Sequence, residues 1–166
     1  YPDARVVGLD PSSGMLEVGR QKIEQAGLKQ RMNLVVGYAQ GMPFEDNRFV
    51  ASCIAFGIRN VPDRIRGLAE MTRVTRCEGI VSILELGEPR HGLLAPFARL
   101  HVRHVVPRIG SWISGDEAYA YLSRSVADFP PPDDFAQLME SVGLSIERVT
   151  PFAAGAANLY VGRKRS

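Results

Sequence analysis

Short apolar runs alternate with amphipathic stretches along the chain, and this alternation predicts strands followed by helices. Residues 4–10 (ARVVGLD) read as a buried strand that ends in an acid, and Met32–Val36 as a second strand stopped by Gly37. Between them SSGMLEVGRQKIEQAG predicts a helix, with Ser12 or Ser13 as N-cap and Gly27 as its stop. A third apolar run, Cys53, Ile54, Ala55 and Phe56, has the pattern of a strand buried on both faces. It breaks at Gly57 and presents Arg59 and Asn60. Pro62 and Asp63 then open a helix to about Arg76, with Ile65, Leu68, Ala69 and Met71 expected inward. GIVSILEL, residues 79–86, is a further buried strand.

The loop YAQGMPFEDNR carries turn residues and an anchoring Pro43–Phe44 pair. After Pro89 the alternation stops, and residues 90–131 are expected to form an irregular, helix-containing insertion. A helix over about 133–142 ends at Gly143. LSIERVTP and NLYVGRK, separated by the small-residue turn AAGAA, close the chain as a hairpin. The expected fold is one α/β domain over 1–166, a doubly wound sheet with an antiparallel edge.

Composition narrows the classes. The 166 residues suffice for one core, and 45% hydrophobic with 23% charged residues is ordinary for a globular protein. A formal net charge of +2, without any aromatic-and-basic motif, argues against nucleic acid. Cys53 in a strand and Cys77 in a turn make neither a disulfide framework nor a metal site. No apolar run reaches the roughly eighteen residues of a membrane span. The first residue is Tyr1, so the natural N-terminus is expected to be missing, and no targeting peptide can be assessed.

Polar groups just past the carboxyl ends of buried strands are where open α/β sheets hold ligands. Asp10 there has two readings, a ribose-binding acid or a helix-capping aspartate. Tyr38 and Ala39 follow the next strand at the same rim. A nucleoside base could lie on them, or Tyr38 could simply be half-buried. Arg59 either pairs with Asp63 or Glu85 as a surface arginine, or orients a substrate oxygen together with Asn60. His91, His101 and His104 show no metal-ligand spacing and read as solvated or packing residues, so no metal is expected.

Six stretches carry a resemblance: VVGLDPSSGMLEVGRQKI, GYAQGMPFEDNRF, FGIRNVPDRIRGLAEMTRV, LELGEP, RIGSWISGDEAYAYLSRSVADFP and NLYVGRK. Together, over residues 6–164, they resemble the ubiquinone/menaquinone-biosynthesis C-methyltransferase family. FGIRNV and AYAYLSRSV are specific to it, whereas the G-L-D strand end is common to many methyltransferases. The resemblance implies an S-adenosylmethionine-dependent enzyme of the class I, Rossmann-like fold that methylates a ring carbon of a polyprenylated benzoquinol or naphthoquinol. By it, Asp10 would hold the cofactor ribose, Tyr38 and Ala39 would flank the adenine, and Ala55 would sit beside the cofactor. Arg59 and Asn60 would lie at the methyl-transfer centre, and Tyr119, Tyr121 and Ser125 would help form the acceptor pocket. Arginine is a poor proton acceptor, so Arg59 is expected to stabilise a developing phenolate or orient a water, with Asn60 as hydrogen-bond partner.

A lipophilic substrate suggests a cytoplasmic protein with peripheral contact at the inner membrane face. Leu93, Leu94, Phe97 and Leu100, with Arg90, Arg99, Arg103 and Arg108, make a stripe suited to an anionic surface. The same stripe suits a lid helix or a dimer contact.

The chain also departs from the family pattern. The first strand and glycine-rich loop are absent, Tyr38 replaces an acid, Ala55 stands for a serine, Val50 for an aspartate, and Cys77-Glu78 for proline and glycine. The absent strand belongs in the middle of the sheet. Its loss is expected to leave two unpaired edges, to be completed by upstream residues, another chain or a rearranged homodimer. The alternative reading is a non-catalytic methyltransferase-like structural or interaction subunit that has lost cofactor binding.

Overall fold

A computed structural model describes residues 3–87 and 116–166 of the chain. Strand β1 (Val6–Asp10) runs into helix α1 (Ser13–Gln25), and β2 (Met32–Val36) returns parallel to β1 with Asp10 opposite Val36. Ser12 is the N-cap, its side chain accepting the Met15 N–H, and Gly27 takes the left-handed φ of +68° that ends the helix. Gly8 and Gly19 let the two elements close on Leu34, since a Cβ at either would come within 2.8 Å of it.

The second half is built on β3 (Phe49–Ala55), α2 (Arg64–Val74), β4 (Thr75–Leu86), α3 (Asp116–Ala127), α4 (Pro132–Ser141), β5 (Leu144–Phe152) and β6 (Ala157–Lys164). These strands form a sheet in the order β3-β4-β6-β5, with β3 parallel to β4 and both later neighbours antiparallel. The antiparallel C-terminal edge is as expected from the sequence. The sheet as a whole comes in two pieces. β1 pairs only with β2 and β3 only with β4, so each keeps one free parallel edge among the described residues.

The core lies against one face of the four-stranded sheet. Val81 and Ile83 of β4, Tyr160 of β6, Leu68 and Met71 of α2, and Phe135 and Met139 of α4 are all buried. Phe129, Phe135 and Tyr160 form an aromatic row with centroids 4.7 and 4.8 Å apart. Burial pushes the Tyr160 hydroxyl up to about 12, with the nearby Glu85 and Asp133 carboxylates adding to the rise.

Arg73 ties the loop after β2 onto α2. Its guanidinium donates to the Met42 and Phe44 carbonyls, to Asp46 and to Glu70, while Glu70 accepts the Met42 N–H. The Glu70 carboxyl is held below its ordinary range, chiefly by the hydrogen bond from Arg73.

Three expectations are corrected. β3 is not buried on both faces: Cys53, Ala55 and the following Phe56 are exposed, because its outer edge and second face have no neighbour, whereas Ile54 packs on the core. Within α2, Leu68 and Met71 point inward, but Ile65 and Ala69 are exposed. The buried stripe is Gly67, Leu68, Met71, Thr72 and Val74. Cys77 lies in β4 rather than in a turn, since that strand already starts at Thr75. The apolar and basic stripe from Arg90 to Arg108, and the histidines His91, His101 and His104, lie outside the described residues. No described helix is long and apolar enough to cross a membrane.

Candidate active site

The site begins with the alternation of β4. Gly79, Val81, Ile83 and Glu85 share its core-facing side, so Glu85 continues an apolar row with no exposed surface. A carboxylate so placed needs donors, because an unpaired buried charge costs several kcal/mol. It has them. Glu85 accepts the Arg59 N–H at 3.1 Å and the Arg59 Nη1 at 2.6 Å, together with its neighbour's Leu86 N–H at 2.8 Å.

Arg59 is delivered by the short turn after β3. Ile58 is fully buried in the core and fixes a single 3₁₀ turn, Ile58–Asn60. Phe56 adopts a left-handed φ of 54°, a strained conformation for a bulky residue, and its carbonyl accepts Arg59 Nη1 at 2.7 Å. The Arg59 side chain is 10% exposed, so it is not the surface arginine of the simpler sequence reading. Of the two acids weighed as partners, Glu85 holds it. Asp63 instead caps α2 by accepting the Arg66 N–H.

Asn60 stays exposed, and its Oδ1 accepts the Tyr121 hydroxyl of α3 at 3.0 Å. Arg59, Arg64, Tyr121, Arg124, Ser125 and Asp128 line one cavity of about 340 Å³. Ser125 is buried there, its hydroxyl donating to the Leu122 carbonyl, while Tyr121 is 55% exposed. The structure thus brings Arg59, Asn60, Tyr121 and Ser125 together. The side chain of Tyr119 lies outside the described residues.

The residues expected at a cofactor lie elsewhere, at strand ends. Asp10 Oδ1 accepts the Ser12 N–H at 2.8 Å, just ahead of α1, and its other oxygen has no partner among the described residues. Tyr38 is 66% exposed, with Ala39 beside it near the start of α2. Ala55 ends β3 with its side chain exposed. Among the described residues no three His, Cys, Asp or Glu side chains cluster as metal ligands.

Sequence reasoning missed Arg64. It begins α2, where the helix end is positive and a cation is disfavoured, which was a legible signal that something else holds it. Its guanidinium lies 5.6 Å over the Phe129 ring and donates to the Arg59 and Asp128 carbonyls.

A model of the ubiE/COQ5 methyltransferase family matches residues 2–164. The chain is 39% identical to a protein of Citrifermentans bemidjiense named ubiquinone/menaquinone biosynthesis C-methyltransferase UbiE, over 96% of this chain and 68% of the relative. It is 40% identical, over the same shares, to a Bacillus cereus protein named demethylmenaquinone methyltransferase. Its fold is similar to a solved S-adenosylmethionine-dependent methyltransferase structure from Methanosarcina mazei, with a TM-score of 0.68 over 99% of this chain and 84% of the other at 18% identity. The fold is therefore the Rossmann-like one of class I methyltransferases, as the resemblance implied.

Proposed function

The chain belongs to the ubiE/COQ5 methyltransferase family, and from that premise we propose that it takes part in quinone biosynthesis as an S-adenosylmethionine-dependent C-methyltransferase. The acceptor is the ring carbon of a benzoquinol or naphthoquinol bearing a prenyl tail. One observation carries the reading: Arg59, Tyr121 and Ser125, from two separate stretches of sequence, line one cavity, and Asn60 bonds the Tyr121 hydroxyl at its edge. It is an open, polar depression of about 340 Å³.

The cofactor residues fit the nucleoside in kind. Asp10 offers a free carboxylate oxygen to ribose hydroxyls, Tyr38 an open ring face to the base, and Ala39 and Ala55 leave room beside it. When bound, S-adenosylmethionine supplies an electrophilic methyl group on a sulfonium. The chain's own contribution is placement. Tyr121 and Ser125 bound the acceptor, Asn60 holds the Tyr121 hydroxyl, and the Arg59–Glu85 pair fixes the wall they stand on. Orientation of this kind is worth up to roughly 7–11 kcal/mol in ideal cases. A prenylated acceptor also favours peripheral contact with the inner membrane face, and a second chain or homodimer would suit the free edges of β1 and β3.

The test is incubation of the full-length protein with methyl-labelled S-adenosylmethionine and short-tailed demethylated benzoquinol or naphthoquinol. Label is expected on the ring carbon of one of them. Calorimetric binding of the cofactor without transfer to either ring would point to another acceptor. Absence of cofactor binding would leave a structural subunit.

A further inference from the structure

We infer that Arg64 carries the net positive charge that stabilises the ionised ring oxygen of the acceptor, with Arg59 as a positioning residue, a division that rests on the quinol reading above. With Arg124 the two line the same cavity, but Arg59 and Arg64 are held very differently. Arg59 Nη1 bonds Glu85 at 2.6 Å and the Phe56 carbonyl at 2.7 Å. Its charge is matched by a carboxylate with no exposed surface, and short charge-assisted bonds of that kind are the strong ones. An anion seeking Arg59 would have to compete with Glu85.

Arg64 has no such partner. Its hydrogen bonds go to the Arg59 and Asp128 carbonyls at 3.4 and 3.5 Å, the outer limit of hydrogen bonding, whereas the Nε of both arginines is buried without a partner. No carboxylate pairs with it among the described residues. The Phe129 ring steadies the guanidinium without neutralising it. An incoming oxyanion can turn Arg64 toward itself and break only weak contacts. The positive end of α2, from which Arg64 projects, adds to the attraction. Among the described residues, the other charged or titratable groups around it are Arg59 in the turn after β3 with its partner Glu85 on β4, Tyr121 and Arg124 on α3 with Asp128 just beyond it, and Asp63 on its own helix end, already bonded to the Arg66 N–H.

The proton balance is simple. The acceptor hydroxyl gives its proton to water, since an arginine cannot take it. The ring carbon forms the new C–C bond as the sulfonium C–S bond breaks, with the electron pair remaining on sulfur. The ring C–H proton then leaves to water and aromaticity returns. Arg64 acts on the oxyanion before and during the C–C step.

The test uses the full-length protein with 4-nitrophenol, whose anion absorbs in the visible, as a phenolate probe displaceable by the quinol. The wild type is expected to lower the pKa of the bound probe by about one unit or more. Arg64→Gln should return it to the value in water, and Arg64→Lys should keep most of the shift. In turnover, Arg64→Gln should lower kcat up to about a hundredfold and move the rising limb of its pH profile upward, with KM little changed. Arg64→Met, which keeps an unbranched stem against Phe129, replaces Gln should that variant unfold. An unshifted probe in the wild type, or neutral variants that keep the wild-type probe pKa and pH limb, would overturn the role. A wild type that shifts the probe but methylates no quinol would overturn only the choice of acceptor.

Discussion

Glu85 takes both the main-chain N–H and the guanidinium of Arg59, so one buried carboxylate sets where the turn after β3 sits and which way its arginine points. Removing one member of such a pair strands the other. Glu85→Ala is expected to destabilise the protein by about 3–5 kcal/mol, measured by urea unfolding. The double variant Arg59→Met, Glu85→Leu should recover much of that loss in stability while leaving turnover low.

The contact between Tyr121 and Asn60 is exposed and should matter to binding more than to folding. Tyr121→Phe is expected to change stability by less than about 0.5 kcal/mol. It should raise KM for the acceptor about fivefold, the worth of one hydrogen bond of ~1 kcal/mol, with kcat nearly unchanged in steady-state kinetics.

Stability should fall in acid through Glu70. Its folded carboxyl titrates below the ordinary value of 4.5 because Arg73 donates to it. A depressed carboxyl stabilises the fold fully above its unfolded pKa, and the contribution is lost as pH falls through the lower folded value. Thermal melts from pH 7 downward should therefore drop below about pH 4.5, and Glu70→Gln should start lower and show a shallower acid decline.

Two glycines should answer an alanine in opposite directions. A Cβ on Gly79 would lie 2.7 Å from Thr75 Cγ2 and 2.8 Å from the Arg76 and Val50 carbonyls, so Gly79→Ala is expected to cost about 1–3 kcal/mol. A Cβ on Gly41 meets nothing within 4 Å and its φ is not left-handed, so Gly41→Ala should be neutral or stabilise by up to about 1 kcal/mol through the unfolded chain. Denaturant midpoints decide both.

The free edge of β3 has its own signature. Phe56 N–H bonds the Leu84 carbonyl of β4, and by strand alternation the N–H groups of Ala51, Cys53 and Ala55 face away from it. Those amides are expected to exchange faster than those of Ser52 and Ile54 by NMR, and to become protected when another strand pairs there.

What local chemistry dictates was legible. Ser12, one of the two serines expected there, caps α1, and Gly27 and Gly143 take the positive φ that stops their helices, while Asp63, expected as an acid in the first turn, stands one residue earlier as the cap of α2. The hairpin of β5 and β6 followed from its small-residue turn, and the family from FGIRNV and AYAYLSRSV. What depends on distant neighbours was not. An apolar run such as Cys53–Phe56 is equally compatible with one covered face or two, and only the neighbours of β3 decide. Ile65 and Ala69 fit a helical stripe, but the core claims the stripe through Gly67, Leu68 and Met71 instead. The same limit hid the division between the arginines, since the sequence offers Arg59 two acids and does not show that Arg64 pairs with none among the described residues.

Glu85 stands opposite Asn158 in the pairing of β4 with β6, so the wall that holds Arg59 is shimmed from behind by β6. Disturbing the C-terminal hairpin should therefore lower the proposed activity by letting Glu85 and Arg59 shift, with no residue of the cavity itself substituted.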